Sequence, residues 1–258
     1  MVHNIEPAKR GNLAFLFADH RPSFLIDTVL EGHSGIALAD DANNPCVAQL
    51  AYADVLTFGG DAKHPAASQF VEQLPVDKGI LSLPEGWRGL LQQAYGERLL
   101  SVEHFTFYGE KLDIGHLTSL KETLPEGFQI KQIDIDLARQ IDTDSTLISE
   151  DHVRNFDSPE DFVDRGLGFC VLEGDRIVSG ASSYAICSKG IEVQVNTNPA
   201  YQQRALATAV SAALLVYCLE HGIEAHWDAG NPRSVKLAER LGYRASGSYE
   251  MLVRIEED

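Results

Sequence analysis

The chain has 258 residues and is strongly acidic, with 38 Asp and Glu side chains against 21 Lys and Arg side chains and a formal net charge of −17. Nucleic-acid binding draws most of its affinity from basic side chains, and membrane surfaces are anionic, so the charge argues against both partners. Hydrophobic residues make up 44% of the chain, which is ordinary for a globular protein of one large or two small domains. An acidic surface suits a cationic partner such as an amine, or simply confers solubility.

The cysteines and the N-terminal segment predict a soluble cytoplasmic protein. Cys46, Cys170, Cys187 and Cys218 are far apart and lie in apolar stretches, so we expect buried thiols and neither a zinc motif nor a redox motif. The N-terminal segment lacks the apolar core of a signal peptide. The longest apolar run, residues 212–219, is far shorter than the ~20 residues that span a bilayer.

Residues 1–125 are predicted to form a small α+β domain. Its boundary lies near Pro125, where a helical segment at 116–123 meets a Pro-Glu-Gly turn. Strands are predicted at 34–38, 46–56 and 104–108, with Gly59-Gly60 interrupting the pattern, and helices at 66–74 and 87–95. No residue pattern in this half indicates catalysis.

Residues 126–258 have a more regular pattern. The predicted elements are a strand (128–135), two helical stretches (144–156 and 159–164), a hairpin (168–172 and 177–186), a strand (191–196), a long helix (201–220), a strand (225–229), a helix (232–241) and a strand (248–254). Gly222 and Gly242 stand where glycine commonly ends a helix. The order predicts a mixed sheet flanked by helices.

The segment 202–208 places small residues at the start of a helix that closely follows a strand. The first turn of a helix has unpaired N–H groups and a partial positive charge, so small side chains there let a pyrophosphate approach closely. Arg204 adds a cation within reach. An ordinary amphipathic helix with buried alanines explains the same residues, so this segment alone leaves both readings open.

A second pattern lies at the end of the chain, where Asn231 is a natural N-cap between a strand and a helix. At this point residues 128–254 resemble the GNAT superfamily of N-acetyltransferases. The family signature Asn-x-x-Ala/Ser, followed by Leu-Gly-Phe/Tyr, is matched by Asn231, Ser234 and residues 241–243. The phosphate-binding signature Arg/Gln-x-x-Gly-x-Gly/Ala is matched by Gln202 and Ala207, with Ala205 in place of the first glycine.

The resemblance implies a GNAT acetyltransferase fold in residues 126–258 and acetyl-CoA as the acetyl donor. A helical alanine at position 205 is expected to weaken the binding of the donor without abolishing it. The residues expected to bind acetyl-CoA are Gln194, Val195, Asn196, Gln202, Gln203, Arg204, Ala205, Leu206, Ala207, Thr208, Asn231 and Ser234.

The resemblance also suggests catalytic residues. Glu192 lies close to where several GNAT enzymes have the glutamate that deprotonates the amine, although an exposed or salt-bridged carboxylate fits the same position. Backbone N–H groups of residues 194–196 would stabilise the oxyanion. The position of the usual proton-donating tyrosine is Ala238, which leaves Tyr243 and Tyr249 as nearby donors.

The first half resembles a bacterial GNAT subfamily that includes a self-resistance acetyltransferase for the antibiotic zwittermicin A. The matching features are Gly35-Ile36-Ala37, Asp40-Asp41, Asn44-Pro45, Gly59-Gly60, a Pro-Glu-Gly-Trp segment and residues 124–127. The first half is therefore expected to be a companion domain that covers or shapes the acceptor site. A degenerate copy of the acetyltransferase fold is one form it could take.

The function predicted on these grounds is direct transfer of an acetyl group to a primary amine of a small molecule in a ternary complex. A degenerate GNAT-fold protein that binds acyl-CoA or mediates assembly, with Ala205 and Ala238 as marks of lost catalysis, is the alternative. No metal is expected, because His226 and Asp228 share a strand face without a third ligand. Trp227 and Asp228 are candidates for contact with the acceptor, and a homodimer is left open.

Overall fold

The computed structural model of the protein describes residues 2–21, 23–72, 74–81, 83–144, 146, 148–149 and 151–256. The chain forms two units, the first made of Met1–His104 with Ser248–Asp258 and the second of Phe105–Gly247. This division differs from the boundary predicted near Pro125. The reason is that Leu117 is fully buried in the core of the second unit, while Leu252 is buried in the core of the first. Within the described ranges, every helix is too short or too polar to cross a membrane.

The first unit contains short helices and a mixed sheet. Its elements are β1 (His3–Asn4), a 3-10 helix (Pro7–Phe17), α1 (Phe24–Leu30), β2 (Ile36–Ala39), β3 (Val47–Tyr52), β4 (Val55–Gly60), α2 (Ala67–Glu72), β5 (Gly79–Ile80), α3 (Glu85–Tyr95), a 3-10 turn (Gly96–Arg98) and the start of β6 (Leu99–Tyr108). The structure thus has two strands where one was predicted at 46–56, because Ala53 adopts a φ of 50° and turns the chain.

The second unit is built around a longer central helix. Its elements are α4 (Ile114–Lys121), β7 (Phe128–Gln132), α5 (Ile135–Thr143), α6 (Asp151–Arg154), α7 (Pro159–Arg165), β8 (Gly168–Glu173), β9 (Arg176–Cys187), β10 (Gly190–Thr197), a 3-10 turn (Pro199–Tyr201), α8 (Leu206–Glu220), β11 (Glu224–Ala229), α9 (Pro232–Leu241) and the start of β12 (Arg244–Arg254). Helix α8 is apolar on nearly every face, as expected of a helix enclosed by its own core.

Helix starts in this unit follow from capping residues. The Asp134 side chain accepts backbone N–H bonds at the start of α5, a helix that the sequence pattern missed. Ser158 caps α7, and Asn231 caps α9 as predicted. The predicted α+β class with a mixed sheet flanked by helices is confirmed.

The two units repeat one order of elements and one pattern of strand pairing. In each, a strand and a helical stretch precede three antiparallel strands, and a helix then leads to a parallel strand. The pairs β1–β2, β2–β3, β3–β4, β4–β5 and β5–β12 correspond to β7–β8, β8–β9, β9–β10, β10–β11 and β11–β6. The final strands are exchanged, because β12 pairs with β5 in the first unit and β6 pairs with β11 in the second.

A tryptophan fills the space beside the parallel pair of the first unit. Trp87 is fully buried and stacks on Phe58, with ring centroids 5.0 Å apart. Its indole N–H donates a hydrogen bond to the Gly60 carbonyl oxygen at 3.0 Å. The indole is thus packed and hydrogen-bonded inside the core of the first unit.

The exchange of strands predicts that neither half of the chain folds alone. Residues 1–125 lack the β12 strand that pairs with β5, and residues 126–258 lack the β6 strand that pairs with Trp227–Ala229 of β11. We expect each fragment to show no cooperative thermal transition by circular dichroism, and the co-expressed fragments to purify as a folded pair. A fragment 126–258 that melts cooperatively near the Tm of the whole chain would contradict the prediction.

Candidate functional site

A groove opens in the second unit where strands β10 and β11 separate. The paired positions are Gly190 with Glu224, Ile191 with Ala225 and Glu192 with His226. On its other side, the pairing of β10 with β9 has a β-bulge between Glu192 and Val193. Strand β10 stays paired with β9 as far as Thr197, so its other edge faces the space between the separated strands. This space measures about 770 Å³ and is lined by residues 193–197 of β10 and by Trp227 and Asp228 of β11.

The N-terminus of α8 forms one end of the groove. The helix begins at Leu206 rather than at residue 201 as predicted, because Gln203 and Ala205 have left-handed backbones with φ of 64° and 61°. Ala205 is therefore an N-cap and not the helical alanine expected. Leu206, Ala207 and Thr208 all line the groove. The first turn of α8 thus presents its backbone N–H groups and its positive end toward this space.

The basic side chains of the groove come from α9 and not from the predicted Arg204. The Arg204 guanidinium lies 5.2 Å from the centre of the Tyr201 ring and does not line the groove. Arg233, Lys236 and Arg240 do line it. Their spacing of three and four residues puts them on one face of a helix, a signal that the sequence contained.

Two of the predicted binding residues hold the start of α9 in position. The Asn231 side chain accepts the backbone N–H groups of Arg233 and Ser234, and the Ser234 hydroxyl oxygen accepts the Trp227 indole N–H at 3.0 Å. The predicted cofactor residues that line the groove are Gln194, Val195, Asn196, Gln202, Gln203, Ala205, Leu206, Ala207, Thr208, Asn231 and Ser234.

A buried carboxylate–imidazole pair lies at the point where the strands separate. Glu192 Oε2 is 2.5 Å from His226 Nδ1, and both side chains are less than a tenth exposed. Glu192 Oε1 is buried without a hydrogen-bond partner among the described residues, and neither Glu192 nor His226 is among the residues that line the groove. Burial lowers the pKa of His226, but the charge and hydrogen bond of Glu192, with Asp228 and Glu224, outweigh burial and raise that pKa above its ordinary value. Sequence reasoning identified Glu192 and missed its partner.

The two tyrosines predicted as proton donors do not line the groove. Tyr243 is buried, and its hydroxyl donates a hydrogen bond to the Ala225 carbonyl oxygen at 3.0 Å. Burial, together with Cys218 and Glu192, raises the pKa of Tyr243 well above its ordinary value. We therefore withdraw Tyr243 as a donor. Tyr249 belongs to the first unit, where Arg21 lies over its ring.

An open groove between diverging parallel strands, with a helix N-terminus at its end, agrees with the family resemblance of the sequence. Residues 14–252 match the family model described as GNAT acetyltransferase. The chain therefore belongs to the GNAT acetyltransferase family and is an acetyltransferase enzyme.

Individual relatives cover nearly the whole chain. A GCN5-related N-acetyltransferase-like protein from Streptococcus suis 89/1591 is 31% identical, and its crystal structure superposes with a TM-score of 0.83 over 96% of this chain and 99% of its own. The uncharacterized N-acetyltransferase YdfB of Bacillus subtilis (strain 168) is 25% identical over 96% of this chain and 97% of its own. A tandem GNAT protein from the clavulanic acid biosynthesis pathway has 11% identity and a TM-score of 0.61, with both chains fully covered, and so shares the fold.

Because Ala205 has a left-handed backbone and Ala207 is helical, we expect substitution by glycine to change the free energy of unfolding in opposite directions at these two positions. Ala205→Gly removes a Cβ where φ is 61° and should raise the free energy of unfolding by about 1 kcal/mol. Ala207→Gly, inside α8, should lower it by up to about 1 kcal/mol because glycine is a poor helix former. Urea denaturation of both variants measures the difference. Equal destabilisation by the two changes would show that Ala205 carries no backbone strain.

Proposed function

We propose that the protein is an acetyl-CoA-dependent N-acetyltransferase that transfers the acetyl group to a primary amine of a small molecule. The observation that carries the proposal is the groove between β10 and β11, which ends at the N-terminus of α8. Its size, its free strand edge and its three basic side chains suit a long anionic cofactor. The family name of this chain and of its relatives agrees with acetyl transfer.

The binding roles follow from the order of residues along the groove. Residues 193–196 would lie along the pantetheine arm, and the backbone N–H groups of residues 194–196 would donate to the carbonyl oxygen of the acetyl group. Residues 203–207 would hold the pyrophosphate at the α8 N-terminus. Arg233, Lys236 and Arg240 supply positive charge along the α9 wall. When bound, acetyl-CoA supplies the acetyl group as a thioester.

Glu192 is proposed as the group that accepts the proton of the amine. Its Oε2 is held by His226, while its buried Oε1, which has no partner among the described residues and does not line the groove, would accept the proton of the ammonium group through an intervening water. A protonated His226 beside Glu192 would offset the free-energy cost of burying the Glu192 carboxylate. That cost is large when a buried carboxylate has no partner of opposite charge. His226 acts through Glu192 and is therefore a positioning residue.

The departing thiolate needs no dedicated acid from this groove, because a thiolate is a tolerable leaving group and water can protonate it. Ala238, at the position of the usual tyrosine, is fully buried. Tyr249 as a proton donor stays a prediction. The direct attack of the amine requires no covalent enzyme intermediate, since both substrates are held together.

We further propose that the first half is a degenerate copy of the acetyltransferase fold that serves as a companion domain. The repeated order of elements and strand pairs supports a duplication. Trp87, packed on Phe58 beside the β4–β5 pair, supports the loss of cofactor binding in this copy. The likeness in fold to a tandem GNAT protein agrees with a duplication. Membership of the zwittermicin A resistance subfamily stays a prediction.

Calorimetry with acetyl-CoA, followed by thiol release on a panel of amines, tests the function. Lys236→Ala should weaken acetyl-CoA binding about 10- to 100-fold, because a charge-assisted contact contributes about 1.5–3 kcal/mol and each 1.4 kcal/mol is a factor of ten. Lys121→Ala is the matched control, because Lys121 is an exposed lysine in the last turn of α4 and does not line the groove. No binding by the wild type would overturn the proposal. Binding without turnover on any amine would favour the alternative, an acyl-CoA-binding protein that has lost catalysis.

The role of Glu192 predicts a specific pH dependence. Glu192→Gln keeps the side-chain shape but removes the proton acceptor, so kcat at pH 7 should fall by about 100-fold or more. Raising the pH should partly restore kcat, because the neutral fraction of the amine grows about tenfold per pH unit below its pKa. His226→Asn keeps a donor near Oε2 and should retain more activity than Glu192→Gln.

The exposed Glu239→Gln, on the helix that lines the groove, is the control for this kinetic series. It should leave kcat and its pH profile unchanged. An unchanged kcat in Glu192→Gln, measured by thiol release at saturating acetyl-CoA, would remove Glu192 from the mechanism.

A further inference from the structure

Three side chains with metal-binding atoms lie close together in the first unit, whereas the groove is lined by residues of the second unit. Asp40 follows β2, Cys46 precedes β3, and His64 lies in the connection between β4 and α2. One ligand atom from each, a carboxylate oxygen, the thiol sulfur and an imidazole nitrogen, all lie within 4.8 Å of one another. Donors from two segments, the β2–β3 connection and the β4–α2 connection, have therefore been brought together by the fold.

Backbone hydrogen bonds hold Asp40 and Cys46 in this arrangement. Asp40 Oδ1 accepts the N–H groups of Cys46 and Val47, both at 2.9 Å. Its other oxygen, Oδ2, is 3.6 Å from His64 Nδ1. One oxygen of the Asp40 carboxylate thus fixes the β2–β3 connection, and the other faces His64. Outer contacts that orient a ligand in this way are typical of metal sites.

A second set of contacts joins Cys46 to the segment that carries His64. The Cys46 carbonyl oxygen accepts the Asp61 N–H at 3.1 Å, and the Asp61 carbonyl oxygen accepts the His64 N–H at 3.0 Å. The approach of Cys46 depends on Gly60, whose φ is 85° and where a Cβ would collide with the Cys46 carbonyl oxygen. The Ala66 N–H donates a long hydrogen bond to His64 Nδ1, with 3.3 Å between the nitrogens, and a cation bound at Nδ1 would replace this contact.

We propose that Asp40, Cys46 and His64 bind a divalent transition cation of the zinc class. Thiolate, imidazole and carboxylate are the donors of zinc sites, whereas calcium and magnesium prefer oxygen alone. Cys46 is exposed, so the prediction of a buried thiol is wrong at this position, whereas it is confirmed for Cys170, Cys187 and Cys218. On binding, the Cys46 thiol releases its proton to solvent and its sulfur bonds to the metal, and water fills the fourth position. The cation would fasten the β2–β3 connection to the β4–α2 connection.

Cobalt titration of the chelator-treated whole chain tests this site. We expect one equivalent of Co²⁺ to give the thiolate-to-cobalt absorption of a tetrahedral site, and Zn²⁺ to displace it. Cys46→Ser should abolish that absorption, and His64→Gln should weaken Co²⁺ binding at least about tenfold. His33→Gln is the matched control, because His33 also lies beside a carboxylate in this unit, 3.0 Å from Glu31. It should bind as the wild type does.

Two further measurements decide the outcome even if one variant folds poorly. In the wild type, Zn²⁺ should raise Tm and protect Cys46 from alkylation, with the modified residue located by mass spectrometry. Alkylation of Cys46 at the same rate with and without Zn²⁺ would overturn the proposal, as would a thiolate–cobalt band that persists in Cys46→Ser. The proposal is independent of acetyl transfer, because neither result depends on turnover.

Discussion

The separation of β10 and β11 after Glu192 and His226 is the constraint on which the rest of the second unit depends. The two strands are paired as far as Glu192 and His226, and beyond that pair β10 remains paired with β9, with a β-bulge in that pairing between Glu192 and Val193. The same register therefore opens the groove and places a carboxylate opposite an imidazole in the last pair before it. The groove and the Glu192–His226 pair are both consequences of where the pairing of β10 with β11 ends.

Attraction for the proposed anionic cofactor would have to arise locally, because the net charge of the chain is −17. Exposed charges farther apart than a Debye length of about 10 Å are largely screened, so the overall charge does not decide what binds in one groove. The first turn of α8 and the cations Arg233, Lys236 and Arg240 supply a positive lining there. The negative charge of the rest of the chain is compatible with a cationic acceptor, but it does not identify which amine is the acceptor.

Much of the fold and of the groove lining could be predicted from sequence, because the features used are local. They are the polar–apolar alternation of strands, the capping residues of helices and the spacing of residues in the family signatures. The Asn231 cap and the strand before it are examples. Contacts that depend on the register between strands could not be predicted from local sequence. Glu192 and His226 are an example, because they are 34 residues apart and nothing near Glu192 in the chain indicates its partner. The start of α8 was misplaced because two non-glycine residues adopt left-handed backbones. Asp40 and Cys46 meet His64 only through the tertiary fold.

The exchanged final strands have a consequence for how the protein is made. Domains usually fold as units from the N-terminus while the ribosome is still extending the chain. Here the edge of β5 pairs with Leu252 and Val253, which are synthesised long after Ile80 and Gly79. The first unit must therefore wait with an open sheet edge until these residues have been synthesised, and such an edge is a template for wrong pairing. Termination of translation before Leu252 would damage the unit whose first strands were translated first.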